Sequence, residues 1–393
     1  MINKIFRKTP LAWRQLMKEK TRLVIAVSGI AFADILIFIQ MGFESALFDS
    51  AIKPHRNLQA DLVLTNPQFQ TLFSVKSFSR ERLYQALSYE GVKSVSSIYI
   101  GIGQWRNPET RMDRSILVWG VDPATPGLKF PEVQANKDNL KQLNQVLFDE
   151  ASRPEYGQIG KIFRATGKFN TELNGKNLNV KGLFQNGASF ASDGNVVASD
   201  STFLQLFPTR KPDQIEVGLI TLKPGADLEK IKAELKIRLN PDPQNPFVEV
   251  GTPETFAQKE KDYWANGTGI GFIFGLGVIV GFIVGIVIVY QILYSDVSDH
   301  LPEYATLKAM GYTDNYLLGV LLQEALLLAA LGYLPALLLS FGIYQLTFTA
   351  TLLPIAMKLD RAINVFILTV IMCTISGAIA MQKLRSADPA DIF

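Results

Sequence analysis

Histidine and cysteine are nearly missing from this chain, and their scarcity removes whole classes of chemistry. His55 and His300 are the only histidines and Cys373 the only cysteine among 393 residues. One cysteine allows no intramolecular disulfide framework, and Cys/His spacings of the zinc-binding kind are absent. Cys373 falls inside an apolar run, where a small buried residue of a helix is the plain reading. An excess of one charge sign is missing as well. The formal net charge of +3 gives no footprint for nucleic acid. Nor is there a phosphate-cradling loop, since Gly167-Lys168 is followed by Phe169 instead of Ser or Thr. The segment from Gly187 to residue 191 lacks the second glycine of a nucleophile elbow, so Ser189 reads as a loop residue. The expectation is a chain that is not an enzyme, with no metal and no cofactor of its own. Any ATP and Mg would be bound by a separate subunit.

Long apolar runs, in contrast, are plentiful. Residues 23–43, 266–293, 317–344 and 362–381 are each long enough to cross about 30 Å of hydrocarbon at about 1.5 Å per residue. The layout is one span, a soluble stretch at 44–265, then three spans close together. The expected fold class is an α-helical membrane protein with four transmembrane helices, one plus three, and a large α+β extracytoplasmic domain. Four helices are too few for a self-sufficient transport pore, so a second copy or a partner is expected. Residues 23–43 begin too late and run too long for a cleaved signal, and read as a retained anchor.

Orientation follows from the basic residues. Lys4, Arg7, Lys8, Arg14, Lys18, Lys20 and Arg22 crowd residues 1–22, and Lys383 and Arg385 stand in the tail at 382–393. The positive-inside rule places both ends in the cytoplasm. Residues 44–265 and the short loop 345–361, with Lys358 and Arg361, then lie outside. The loop 294–316 faces the cytoplasm, although Asp296, Asp299, Glu303 and Asp314 outweigh Lys308 there. Ahead of the first span, Thr9 and Pro10 form a helix start signal. Trp13, Leu16 and Met17 share one face of that helix, and Arg14, Lys18 and Arg22 another. It reads either as an amphipathic helix on the inner leaflet or as the first turns of the membrane helix.

Within the soluble stretch, residues 61–65, 94–100 and 115–121 read as strands and 79–90 as a helix ended by Gly91. A second set follows, with strands at 215–222 and 247–250 around a helix at 227–239 capped by Asp227. The two strand–helix–strand units flank an insertion at about 126–210, which contains the hairpin signal Asn174-Gly175. Thr252-Pro253-Glu254 restarts a helix that is expected to run straight into the second span.

Several membrane residues stand out. Gly271, Gly275, Gly277, Gly281 and Gly285 give two chains of small-xxx-small spacing for close helix packing, within one bundle or across a homodimer. Pro335 is expected to kink the third span. Asp34 and Glu324 are the intramembrane acids. A charge at the centre of a span costs about 2.5–3.5 kcal/mol, so Asp34 should face protein or water, or be protonated. Helix–helix hydrogen bonding and a part in gating or proton coupling are both open to it. Glu324 lies nearer the cytoplasmic end and reads as structural. In the cytoplasmic loop, Pro302 and Glu303 start a short helix that Gly311 stops, with Tyr304, Leu307 and Met310 on its apolar side. That side could lie on lipid headgroups or dock into a motor subunit.

The segments Tyr290–His300 and Glu303–Gly311, the ending from Ala387 to Phe393 with its Asp388-Pro389 pair, and the one-plus-three layout resemble the FtsX-like permeases of the MacB type, and among them the membrane subunits of DevBCA-type exporters. The resemblance covers the whole chain. It implies a MacB-like periplasmic domain and a homodimer in the inner membrane. Inside it implies a DevA-like ABC ATPase, with Glu303, Tyr304, Leu307, Lys308, Met310 and Gly311 as the ATPase-coupling segment. Outside it implies a DevB-like periplasmic adaptor, or membrane fusion protein, leading to a TolC-like outer-membrane channel. The implied activity is mechanical transmission that drives export of a lipid-like or amphiphilic substrate, a glycolipid in the DevBCA case. A second function from another class is an FtsX-type transducer that activates a periplasmic hydrolase without transport.

Overall fold

The computed structural model describes residues 20–190 and 192–386. The helix start at Thr9-Pro10, the faces built from Trp13, Arg14, Leu16, Met17 and Lys18, and the Asp388-Pro389 pair lie outside the described residues. Among the described residues four helices are long and apolar enough to span a membrane: Lys20–Arg56, Gly269–Asp299, Asp314–Thr351 and Leu359–Ser386. They are the first to fourth span helices below. The chain divides into two units. One takes the chain up to Ala46, Ile270–Thr351 and the stretch from Ile355 onward; the other takes Leu47–Gly269 and Leu352–Pro354. The molecule is thus a four-helix membrane protein with a large mixed α/β domain between its first and second spans.

In the membrane unit, the first and second helices run antiparallel in a close register. A side chain added at Gly29 would meet Ile288, and one at Gly285, Gly281 or Gly277 would meet Ala33, Ile37 or Gln40 in turn. Small residues every fourth position let the two backbones approach where lipid gives no hydrophobic drive for association. Pro335 lies inside the third helix without ending it.

The soluble unit is built on eleven strands: β1 Leu62–Thr65, β2 Phe78–Ser79, β3 Val92–Arg106, β4 Asp113–Val121, β5 Gln145–Asp149, β6 Phe169–Leu173, β7 Lys176–Phe184, β8 Asn195–Ser199, β9 Gln214–Ile215, β10 Val217–Leu222 and β11 Glu249–Gly251. Nine of them form one sheet in the order β11-β1-β10-β3-β4-β8-β5-β7-β6. The first four of these neighbours are all antiparallel, and they interleave the two strand–helix–strand units as a split β-α-β pair. Helix Arg80–Leu87 joins β1 to β3 through the short β2, and helix Leu228–Leu239 joins β10 to β11. Ser79 and Asp227 cap them by accepting from Glu81 N and Lys230 N.

The insertion continues the same sheet. β6 returns to β3 through Trp105–Leu173 and Arg106–Glu172, so six strands close on themselves. Alternate residues of β3 and β4 serve two cores: Tyr99, Trp105, Ile116 and Val118 face one, while Ile98, Leu117, Trp119 and Val121 face the other. The Asn174-Gly175 turn forms as the sequence suggests, with φ of 50° and 71° at the two positions.

Between β9 and β10 the sheet buries a carboxylate. Glu216 accepts from Ile100 N at 2.9 Å and from Arg210 Nη1 at 2.8 Å, yet burial outweighs both and pushes its pKa from 4.5 up to about 7. The native state therefore holds this proton more tightly than the unfolded chain. The associated stability is present below about pH 4.5 and is lost as pH rises through about 7. The full swing is about 3 kcal/mol. Asp149 is shifted in the same direction. For E216Q the expected result is a melting temperature that gains on wild type as pH is raised from mildly acidic to mildly alkaline. Parallel melting curves at several pH values check it.

Candidate functional site

Polar contacts of long sequence separation converge where the chain enters and leaves the soluble unit. The first span helix does not stop with its apolar run: it continues as helix to Arg56, and no proline interrupts it before Pro54. On its last turns His55 is buried, and its Nε2 donates to Glu260 Oε2 at 2.5 Å. Glu260, on helix Pro253–Asp262, also accepts from Leu72 N at 3.1 Å and from Trp264 Nε1 at 3.2 Å. Phe256 and Phe69 stand edge-on to the imidazole at centroid distances of 4.3 and 6.2 Å, which keeps water from the pair. The nearby Arg56–Glu254 pair at 3.2 Å is exposed and contributes little.

The insertion grips the same helix end. Lys53 Nζ donates to Asn186 O, Asn57 Nδ2 to Asn186 Oδ1 at 3.0 Å, and Phe190 N to Ser50 Oγ at 3.0 Å. The Phe190 ring meets Trp264 edge to face at 4.6 Å. What shapes this loop is Asp149 at the end of β5. Its Oδ1 accepts from Asn186 N and Ala151 N at 3.0 and 3.1 Å, and its Oδ2 from Gly187 N and Asn195 Nδ2, both at 2.8 Å. Gly187 turns at φ 87°, where a side chain would be strained. Burial pushes the Asp149 carboxyl above the usual range, and the four N–H groups pull the other way. Ser189, in the same loop, accepts from Ser192 N at 3.1 Å.

One expectation fails here. The helix begun at Thr252, with its capping box, does not run straight into the second span. It widens into a π-turn over Tyr263–Gly267 and breaks at Thr268, which is extended at φ −123° and ψ 166°, before the span helix starts at Gly269. Trp264 sits in that π-turn, held from one side by Glu260 and from the other by Phe190. A turn with an extra residue reorients side chains at the expense of regular bonding, and Asn266-Gly267 is the turn signal that marks it. The exit strand of chain is jointed where the entry helix is unbroken.

The membrane residues singled out from the sequence separate into three places. Asp34 is fully buried, with Oδ1 2.8 Å from Thr369 Oγ1 of the fourth helix. Glu324 is buried beside Asp296, which pairs with Arg22 at 3.4 Å and lies 3.6 Å from His300 Nδ1. Arg22 also pairs with Asp299, so the charges near the 294–316 loop are knitted across three helices. The glycines divide by face. Gly277, Gly281 and Gly285 pack on the first helix, with Met372 of the fourth also over Gly285. Gly275 has open space where a side chain would stand, and Gly271 is half-buried.

The short helix of the 294–316 loop spans Leu301–Ala309. Gly311, at φ 91°, closes it: Gly311 N donates to Lys308 O and Tyr312 N to Leu307 O, which caps the last carbonyls. Tyr304 is buried and Leu307 is packed on the membrane core, so both turn inward. Lys308 is half-buried, while Glu303, Met310 and Gly311 are exposed. Tyr312 and Tyr316 are exposed beside them, their rings 4.7 Å apart. The outward apolar surface is thus Met310 with two tyrosines that helical spacing had not singled out.

Among the described residues no group of three His, Cys, Asp or Glu side chains is placed to hold a metal ion. Cys373 is buried in the fourth helix. His55, Glu260, Asp149, Asn186 and Trp264 were not visible as a site in the sequence, because each acts through a partner far along the chain.

Residues 268–389 match the family model described as FtsX-like permease C-terminal. No curated protein sequence matches the chain. Among solved structures it is similar to the periplasmic region of MacB from Actinobacillus actinomycetemcomitans, at 12% identity and a TM-score of 0.37, over 52% of this chain and 94% of that one. It is also similar to the extracellular domain of the noncanonic ABC-type transporter YknZ from Gram-positive bacteria, at 14% identity and a TM-score of 0.36, over 49% of this chain and 99% of that one.

Proposed function

We propose that this chain is the permease subunit of a tripartite ATP-driven exporter of the MacB type, a lever that moves its soluble domain with energy released by another protein. The observation that carries this reading is the unbroken helix Lys20–Arg56, whose last turns are fastened to Glu260 on the returning helix and to the Asn186 loop of the insertion. A rigid rod ending in buried polar contacts transmits displacement; a flexible linker would absorb it. The match of residues 268–389 to the FtsX-like permease C-terminal model supports the same reading. So does the short helix capped at Gly311 in the loop that the basic residues assign to the cytoplasm.

In this reading both ends are cytoplasmic, the large domain is periplasmic, and two copies work together. An ABC ATPase of the DevA kind binds ATP and Mg and docks on the loop through Glu303, Lys308 and Met310, with Tyr304 and Leu307 holding the short helix on the bundle. A DevB-like adaptor and a TolC-like channel complete the path for an amphiphilic, lipid-like cargo, a glycolipid if the likeness to DevC extends that far.

The test is co-purification of an ATPase encoded beside this chain. M310D and E303K are expected to lower its recovery at least tenfold while the melting temperature of the permease stays unchanged. Both residues are exposed, so folding is not at issue. Undiminished recovery removes the docking assignment. Capture of a cell-wall hydrolase in place of an adaptor and channel moves the function to FtsX-type transduction.

A further inference from the structure

We propose that the membrane unit contains a proton-binding site at Asp34, whose carboxyl group is the neutral acid while the span helices are packed. The side chain is fully buried within the apolar run of the first span helix. Oδ1 lies 2.8 Å from Thr369 Oγ1, and Oδ2 has no partner. Among the described residues no lysine, arginine or histidine pairs with it.

Counting hydrogens selects the acid form. Thr369 Oγ1 also lies 2.8 Å from Val365 O, one turn earlier in its own helix. A hydroxyl has a single hydrogen, and a carbonyl oxygen can only accept. Once Thr369 donates to Val365 O, its oxygen is left to accept from Asp34, so Oδ1 carries a hydrogen. The relay from Asp34 to Thr369 to Val365 O is then complete, and the unmatched Oδ2 is a carbonyl oxygen. As a carboxylate, Asp34 would take the hydrogen from Val365 and bury a full charge with one hydrogen bond and no counter-ion.

Among the described residues the surroundings offer nothing to offset such a charge. From the third helix it faces Tyr333, whose hydroxyl donates to Ala362 O at 2.8 Å, and from the fourth Cys373. The second helix meets the first at this level through Gly281–Gly285, which is apolar. Arg361 is turned to Ala356 O and the Tyr344 ring. Packing and proton uptake are therefore linked. Any movement that parts Asp34 from Thr369 and admits water releases the proton, and raising the pH favours that movement. The site stands whether or not the chain works with an ATPase.

Infrared spectroscopy of the full-length protein in lipid nanodiscs at about pH 7 tests it. The expected result is a protonated-acid C=O stretch above the amide I band that D34N lacks and T369V shifts to higher frequency. A difference spectrum between wild type and D34N that contains only carboxylate stretches overturns the proposal. Should D34N fail to assemble, wild-type protein containing aspartate 13C-labelled at the side-chain carboxyl gives the reading with T369V as the reference. An isotope-shifted acid band that moves in T369V supports the site, and its absence overturns it.

Discussion

Replacing Glu260 by alanine is expected to destabilise the soluble unit by about 3–5 kcal/mol. The carboxylate is fully buried and accepts three hydrogen bonds, from His55 Nε2, Leu72 N and Trp264 Nε1. Each donor belongs to a different segment, so removing the acceptor leaves two buried N–H groups, His55 Nε2 and Leu72 N, and the half-buried Trp264 Nε1 with no partner. An unmet buried donor costs about 1–3 kcal/mol, and Phe69 and Phe256 flank the His55 ring. For a unit of this size the loss lowers the melting temperature by about 10 °C or more. Tryptophan fluorescence reads it directly, because Trp105, Trp119 and Trp264 all lie in the soluble unit. H55A should lose less, since Glu260 keeps its other two donors. A double replacement of His55 and Glu260 by leucine should recover only part, because Leu72 N and Trp264 Nε1 stay unpaired. A melting temperature for E260A within a degree or two of wild type would show that the pair is not what holds the returning helix to the entry helix.

What the sequence makes legible is what local pattern controls. Four apolar runs define the spans, Asp227 and Ser79 cap helices, Asn174-Gly175 turns a hairpin, and Gly311 ends the short helix of the 294–316 loop, because each effect acts within a few residues. The continuation of the first span helix to Arg56 was readable in principle: between Gly42 and Pro54 nothing breaks a helix, and Phe48, Ala51 and Ile52 share an apolar stripe. The change from apolar to polar composition near residue 44 marks the surroundings of the helix and not its end. The π-turn hid for the opposite reason, since the capped start at Thr252 was a correct signal that said nothing of Asn266-Gly267 downstream. Helical spacing also places Gly271 and Gly275 on one small-residue chain and Gly277, Gly281 and Gly285 on another. Only the antiparallel register with the first helix shows which chain meets Ala33 and Ile37. The base of the soluble unit was illegible altogether. His55 and Glu260 are separated by 205 positions, and Asn57 and Asn186 by 129, so no local pattern carries them.

Asp149 gives the second large effect, and the asparagine variant is the informative one. D149N is expected to cost about 2–4 kcal/mol, nearly as much as D149A. Asparagine is usually the mild replacement for aspartate because one oxygen remains to accept. Here each carboxylate oxygen takes two N–H donors, Asn186 N and Ala151 N on one side, Gly187 N and Asn195 Nδ2 on the other. Whichever way the amide is turned, its NH2 faces two donors and gives them nothing. The loop through Asn186 then loses the anchor that presents Asn186 to Lys53 and Asn57, and Phe190 N to Ser50. Loosening should be local at first, since the sheet pairing of β5 with β7 and β8 does not depend on the carboxylate. Hydrogen exchange separates the two levels: in D149N the amides of Asn186, Gly187 and Phe190 should exchange at least tenfold faster, while those of β7 and β8 keep their protection. Equal protection of the loop in wild type and variant would mean that contacts other than the Asp149 carboxylate hold the loop against the entry helix.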